Sequence, residues 1–309
     1  MKIVVVEPLG ISQQDFEKLK SEFTQKGHSF EYYLDRKEDE NTLADRMRDA
    51  DVAVISNIRL SANVLSQCQH LQMLSVAFTG LDHIDLEYTS RHDIVVKNAA
   101  GYSTTAVSEL AIGLMLDLMR QITRLDGTIR QGEGRGMFLG HELKGKTIGV
   151  VGTGAIGTAT IQLLKAFGCK VLAWNRSEHD DAKALGATYC TLEDLLQQSD
   201  IVTLHVPLTA ETKHLIGAKE LALMKPTALL INTARGNVVD INAVAQALND
   251  GRIAGAGFDV YENEPPLAAN HPLLHASNAI CVPHIGFATR EAFDIRADIV
   301  MNNVRQFVN

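Results

Sequence analysis

The chain has 309 residues, 46% of them hydrophobic and 21% charged, with a formal net charge of −8 at pH 7. That length exceeds what one hydrophobic core usually serves, so two domains are expected, and the composition is that of a folded globular protein. The negative charge gives no reason to expect nucleic acid or an anionic membrane as partner, and the longest apolar run, ELAIGLMLDLM, is broken by Glu109 and Asp117 and is too short to span a bilayer.

The opening MKIVVVEPLG reads as a buried strand; its apolar stretch is too short for a signal peptide, and no small-residue cleavage site follows. Further strands are expected at SFEYYL, DVAVIS, LQMLSVAF and IVVKN, with helical stretches such as SQQDFEKLKSEFTQKG and SANVLSQCQ between them. One long helix is expected from near Ser103 through residue 131, long enough to link two domains. The glycine-rich GEGRGMFLGHELKGK reads as a loop. A second series of strands follows at TIGVVG, KVLAWN, DIVTLHV, ALLINT, IAGAGFDV and AICVPH, and TREAFDIRADIVMNNVRQFV is an amphipathic helix. Strands alternating with helices indicate βαβ units around parallel sheets. Cys68, Cys169, Cys190 and Cys281 lie far apart in apolar contexts, so neither disulfides nor a metal site is expected, and a reducing cytoplasm fits.

TIGVVGTGAIGTATIQLLKAFG is strand, then Gly152-x-Gly154-x-x-Gly157, then helix. Gly152 permits the tight turn, Gly154 lets a diphosphate approach the backbone, and Gly157 lets helix and strand pack closely. The helix N-terminus offers free N–H groups to the phosphates. An NAD site of this kind carries an acid at the end of the second strand, whereas Asn175, Arg176 and Ser177 stand there. Asn175 removes the repulsion toward a 2′-phosphate, Arg176 can pair with it, and Ser177 adds a hydroxyl, so NADP is expected in preference to NAD. Glu178, Asp180 and Asp181 lie nearby and oppose that preference, and NAD stays possible.

Three later stretches put a polar residue just past an apolar strand, where open α/β sheets place ligands. Arg235 in LLINTARGNVVD offers a planar fork suited to a carboxylate. Glu264 in GAGFDVYENEPPL and His284 in AICVPHIGFATREA offer an acid-base pair, since an adjacent carboxylate stabilises imidazolium.

The ordered series GTGAIG, LHVPLTAETKHLI, MKPTALLINTARGNVVD, AGFDVYENEPP and PHIGFATREA resembles the D-isomer-specific 2-hydroxyacid dehydrogenases over essentially the full chain. The resemblance implies an α/β protein of two Rossmann-like, doubly wound parallel-sheet domains with the active site in the cleft between them. The expected division is a discontinuous substrate domain, 1–99 plus 287–309, and a dinucleotide-binding domain, 100–286. A homodimer in the cytoplasm is implied, acting on a small 2-oxo acid. Arg235, Glu264 and His284 take the catalytic roles: Arg235 orients the carboxylate, and His284, charged with the help of Glu264, gives a proton to the carbonyl oxygen.

The same resemblance assigns backbone N–H groups near Thr79 and Gly80 to the carboxylate, with Phe78 and Tyr102 beside the substrate. It assigns Ala155 and Ile156 to the diphosphate, His205, Val206 and Pro207 to the cofactor further along, and Asp259 to the nicotinamide amide. Thr79, Thr233, Ala234, His284 and Gly286 complete the cofactor set. Two departures bear on substrate. Val76 stands where phosphoglycerate enzymes carry Arg, and Phe78 replaces a Gly or Ser, crowding the pocket or making it apolar. Tyr102 matches a substrate-contacting Tyr of D-lactate enzymes, and the loop GEGRGMFLGHEL is shorter than usual and lacks a Trp. Alternatives are a phosphite-type dehydrogenase and a nucleotide-sensing binding module of corepressor type.

Overall fold

A computed structural model describes every residue except Glu264 and Pro265. The chain divides into two compact units, Met1–Ser103 with Ala288–Asn309, and Thr104–Phe287.

The first unit runs β1 (Lys2–Val5), α1 (Gln13–Gln25), β2 (Ser29–Tyr32), α2 (Glu40–Met47) and β3 (Val52–Ile55). It continues through α3 (Ala62–Leu65), β4 (Met73–Val76), α4 (Leu86–Arg91) and β5 (Val95–Asn98). All five strands are parallel, in the order β2-β1-β3-β4-β5. The central β3 and β4 are buried at every position, as a sheet covered on both faces requires. Helices start where a side chain can take a free N–H: Ser12 caps α1, Asp39 caps α2 and Asp85 caps α4.

The second unit begins with α5 (Thr104–Arg120) and α6 (Ile122–Arg130). The single long helix expected here is therefore two. Gln121 adopts a left-handed backbone, φ +53°, and its side chain donates to Asn278 Oδ1 at 2.8 Å. Asp117 then takes the N–H of Thr123, at 2.8 Å, that an unbroken helix would have used internally. Hydrophobic periodicity runs through the break and does not register it. α6 buries no residue, and Ile122 and Ile129 are exposed along it.

Next come β6 (Thr147–Val151), α7 (Ala155–Ala166), β7 (Lys170–Trp174), α8 (Asp180–Ala184), β8 (Thr188–Tyr189) and α9 (Leu192–Gln198). Then follow β9 (Ile201–Leu204), α10 (Ala218–Leu223), β10 (Leu229–Asn232), α11 (Ile241–Asn249), β11 (Gly255–Phe258) and β12 (Ala279–Cys281). The seven parallel strands lie in the order β12-β11-β10-β9-β6-β7-β8. One row of the register crosses the sheet as Cys281, Phe258, Asn232, Leu204, Val151 and Trp174. Apolar side chains fill both faces of this sheet, around Leu204, Leu230 and Phe258 in one cluster and Ile148, Val150 and Ile231 in the other. The four cysteines are free, and among the described residues no helix is long and apolar enough to cross a membrane.

The last helix, α12 (Arg290–Val308), belongs to the first unit. It buries Ala292, Arg296, Ala297, Val300, Met301 and Val304, and Arg305 grips Glu22 of α1 through two 2.8 Å contacts. Arg296, 2% exposed, donates to Leu9 O at 2.8 Å, Ser56 Oγ at 3.0 Å and Ala77 O at 3.3 Å, so one guanidinium joins the segments after β1, β3 and β4. Its Cζ also lies over the Phe293 ring, 4.1 Å from the centroid. Burial pulls its pKa down, and burial pushes that of the nearby Glu7 up, against the N–H of Ser56 and the charge of Arg36.

Arg296→Ala removes the donor to two buried carbonyls and opens a void. Each orphaned buried group costs about 1–3 kcal/mol, so the expected loss is roughly 3 kcal/mol or more. Urea unfolding measures it, and a loss below about 1 kcal/mol would show that the clasp is dispensable.

Candidate active site

In the second unit the residue one step past the strand is, for five of the six strands of the register row, Asp259 (β11), Thr233 (β10), His205 (β9), Gly152 (β6) and Asn175 (β7). Parallel strands present all these ends along one edge, so five candidate residues distant in sequence stand side by side.

The turn after β6 is shaped by what its glycines avoid. Gly152 has φ +100°, and a Cβ there would lie 2.7 Å from the His205 carbonyl. A Cβ on Gly157 would lie 2.0 Å from Gly152 O. Gly154 is the N-cap of α7 without a side-chain cap and with open space around it. The first-turn N–H groups of Ala155, Ile156 and Gly157 have no partner inside the helix. His205 Nδ1 and Thr233 Oγ1 are buried polar atoms with no hydrogen-bond partner among the described residues, a condition that calls for a ligand. These residues fit a dinucleotide. Val206 is buried beside His205, Pro207 is exposed, and Ala234 is half-buried.

The turn after β7 is exposed. Asn175 Nδ2 donates to Ser177 O at 2.8 Å, which folds the turn back on itself. Arg176 makes no hydrogen bond or ion pair among the described residues. Two acids of the same turn are engaged elsewhere: Lys183 holds Glu178 at 2.7 Å and approaches Asp180 at 3.8 Å. Glu211, from the segment after β9, has its carboxyl held low chiefly by the Thr209 hydroxyl, with Arg176 contributing.

Past β10, buried Asn232 sets the next loop. Its Nδ2 donates to Arg235 O at 3.0 Å and its Oδ1 accepts from Ala234 N at 3.1 Å. Arg235 emerges half-buried from that turn, with Nη1 on Ala234 O at 2.8 Å. Gly236 touches the Tyr261 backbone so closely that a Cβ would lie 1.9 Å from its carbonyl carbon. Tyr261 in turn donates to Val282 O at 2.9 Å, binding the Arg235 loop to the loop after β12. Glu264 lies outside the described residues.

His284 follows Pro283 with φ +55°, a costly conformation for a non-glycine residue. What holds it is Asp259, 1% exposed, whose two carboxylate oxygens accept from Ile285 N at 2.6 Å and Gly286 N at 2.8 Å. A Cβ on Gly286 would lie 2.8 Å from the same carboxylate, so that position is closed to larger residues. The His284 ring stands edge-on to Phe287, centroids 5.3 Å apart. Asp259 thus anchors the histidine loop, a role that composition around FDV does not announce.

In the first unit, Phe78, Thr79 and Gly80 follow β4 and Tyr102 follows β5. Phe78 and Tyr102 are both buried, with ring centroids 6.4 Å apart, and Thr79 is exposed. The Asn98 amide donates to Thr79 O at 2.7 Å and Ala99 N to Phe78 O at 3.1 Å, which fixes the 78–80 turn. Val76 is fully buried within β4.

The second unit is therefore a dinucleotide-binding α/β domain by sheet order and phosphate turn. Residues 112–286 match the family model described as D-isomer specific 2-hydroxyacid dehydrogenase, NAD binding domain. The glyoxylate reductase of Thermococcus litoralis is 42% identical over 275 residues, covering 86% of this chain and 82% of that protein. A glyoxylate reductase from Paecilomyes thermophila superposes with a TM-score of 0.87 at 30% identity, over 99% of this chain and 94% of the other. An acyclic imino acid reductase solved with NADPH and D-Arg gives 0.88 at 28% identity, over 100% and 97%. The chain belongs to the D-isomer specific 2-hydroxyacid dehydrogenase family and is an oxidoreductase with a domain for a nicotinamide cofactor.

Burial lowers the pKa of His205 from the ordinary 6.5 to about 4. The unfolded chain protonates this histidine near 6.5 while the folded one resists until about 4. Stability contributed by neutral His205 is therefore present above pH 6.5 and lost as pH falls toward 4. Melting temperatures across this window should fall less steeply for His205→Gln than for the wild type; parallel slopes would remove His205 as the cause.

Proposed function

We propose that this chain is an NADPH-preferring reductase of small, unphosphorylated 2-oxo acids, with glyoxylate the first substrate to test. The observation that carries the reading is the alignment, along one edge of one sheet, of the phosphate turn after β6 with Arg235 after β10 and His284 after β12. The names of the relatives supply glyoxylate. Fully buried Val76 and Phe78 at 8% exposure, where a phosphate would need a cation, argue against a phosphorylated acid.

When bound, the dinucleotide supplies the hydride. The residues of the chain do the rest. The Arg235 guanidinium receives the substrate carboxylate in a two-point pair and draws electron density from the adjacent carbonyl. The His284 imidazolium gives its proton to the carbonyl oxygen as the alcohol forms, and in the reverse direction the neutral ring takes it back. The Asp259 clamp keeps the imidazole at a fixed place during this exchange, and Glu264 is assigned the stabilisation of its charged form.

The cofactor preference rests on Arg176. It is exposed and is not consumed by Glu178 or Asp180, both of which Lys183 engages. A charge-assisted contact to a 2′-phosphate is worth about 1.5–3 kcal/mol, roughly ten- to over a hundredfold in affinity. Glu211 erodes this, so the lower half of the range is expected.

Steady-state assays with glyoxylate, pyruvate, hydroxypyruvate and 3-phosphohydroxypyruvate should give higher kcat/KM with NADPH than with NADH, and little turnover of the phosphorylated acid. Asn175→Asp with Arg176→Ile should reverse the cofactor order; higher efficiency with NADH in the unmodified enzyme would sink the assignment.

His284→Ala should lower kcat by about 10²–10⁴-fold, while a dinucleotide titration still saturates. Turnover within about threefold of wild type would take His284 out of the reaction.

A further inference from the structure

β8 is two residues long and lies at the edge of the seven-stranded sheet, yet its second residue touches both turns assigned to the dinucleotide. The Tyr189 hydroxyl accepts the backbone N–H of His179 at 2.9 Å and lies 2.7 Å from Thr153 Oγ1. Thr153 is fully buried between Gly152 and Gly154, inside the phosphate turn. His179 ends the exposed turn that begins at Asn175 and carries Arg176; its Nε2 lies 3.3 Å from Asn175 Nδ2.

A phenol hydroxyl that accepts from His179 can still donate to Thr153 or accept from it, so a single hydroxyl serves both turns. The Tyr189 ring packs against the apolar cluster on one face of the sheet, which leaves the hydroxyl little freedom to move. The strand ladder itself ends with Gly152 N–H on Trp174 O at 2.8 Å. Beyond that point the phenol ties the two turns together.

We propose that Tyr189 is a positioning residue for dinucleotide discrimination: its hydroxyl fixes the Arg176 turn relative to the phosphate turn. The proposal rests on the NADP reading of residues 175–177. The diphosphate and the 2′-phosphate hang on one ribose, which limits the distance between them, so the two turns must keep a matching separation. A guanidinium–phosphate fork is directional, and a displacement on the order of 1 Å forfeits much of its strength. Nothing in this role touches the reacting atoms, so its loss is read in cofactor affinity and not in the hydride step.

The test is a calorimetric titration of the enzyme with NADPH and, separately, NADH, for the wild type, Tyr189→Phe, Thr153→Val, the double variant and Arg176→Ile. Emission of Trp174, the single tryptophan and the neighbour of Asn175, gives a second readout. Tyr189→Phe keeps the ring and is expected to weaken NADPH binding about tenfold and NADH binding less than about threefold, from the loss of two hydrogen bonds. The KM for the 2-oxo acid and kcat at saturating NADPH stay at wild-type values. Thr153→Val reaches the same bond from the other side, so a folding defect in one variant leaves the other to decide. The double variant adds little to either single change, because both remove one shared contact. Unchanged affinity in Tyr189→Phe, or equal losses for NADPH and NADH, overturns the proposal. If the wild type shows no preference for NADPH, the NADP reading falls and this inference falls with it. If the wild type prefers NADPH and Arg176→Ile abolishes the preference while Tyr189→Phe retains it, the inference alone falls.

Discussion

Parallel pairing of the seven strands in the second unit is the constraint on which the candidate site depends. Because β6, β7, β9, β10, β11 and β12 share one direction and one register row, every strand delivers its next residue to the same edge. The backbone there has left the ladder, and its N–H and C=O groups must find other partners. Buried side chains of the row and of its next step supply them: Asn232 organises the Arg235 loop and Asp259 organises the His284 loop. Arg235 and His284 stand on loops, but each loop is fastened to the rigid sheet by these buried side chains.

Both units place a charged group where water is scarce, and they satisfy it differently. Asp259 is met by two backbone N–H groups and spends its charge on holding a strained loop. Arg296 is met mainly by carbonyl oxygens and a hydroxyl, and spends its charge on joining three segments. Leaving such a charge unpartnered costs several kcal/mol, so each group enforces one arrangement of its surroundings. A hydrophobic residue of similar size would pack as well without imposing that geometry.

Much of this was legible in the sequence. Apolar runs with turn residues at their ends marked the strands, and the spacing Gly152, Gly154, Gly157 between a strand and a helix marked the phosphate turn, because each glycine answers a local steric demand. Arg235 and His284 were legible for the same reason, as polar residues directly past apolar runs. The helix break at Gln121 was not, since the partners that stabilise it, Asp117 and Asn278, include one 157 residues away. Tyr189 was equally hidden: a tyrosine in a two-residue edge strand carries no periodic signal, and its meaning lies in contacts 36 and 10 residues distant. Arg296 reads in sequence as one more charge on an amphipathic helix, and only the carbonyls gathered around it reveal a buried clasp. Local chemistry writes itself into short motifs, whereas long-range hydrogen bonds do not.

The second unit is one continuous stretch, while the first is closed only by the final helix. On the ribosome, all of Thr104–Phe287 can emerge and pack before α12 exists, since domains fold as units during synthesis. Over that interval the five-stranded sheet waits with Leu9 O, Ser56 Oγ and Ala77 O lacking the guanidinium that later joins them. Emergence of α12 is the event that completes the first unit. The unit whose translation begins first is therefore the one finished last, and a chain interrupted within the nineteen residues of α12 keeps a whole dinucleotide domain and an unsealed sheet.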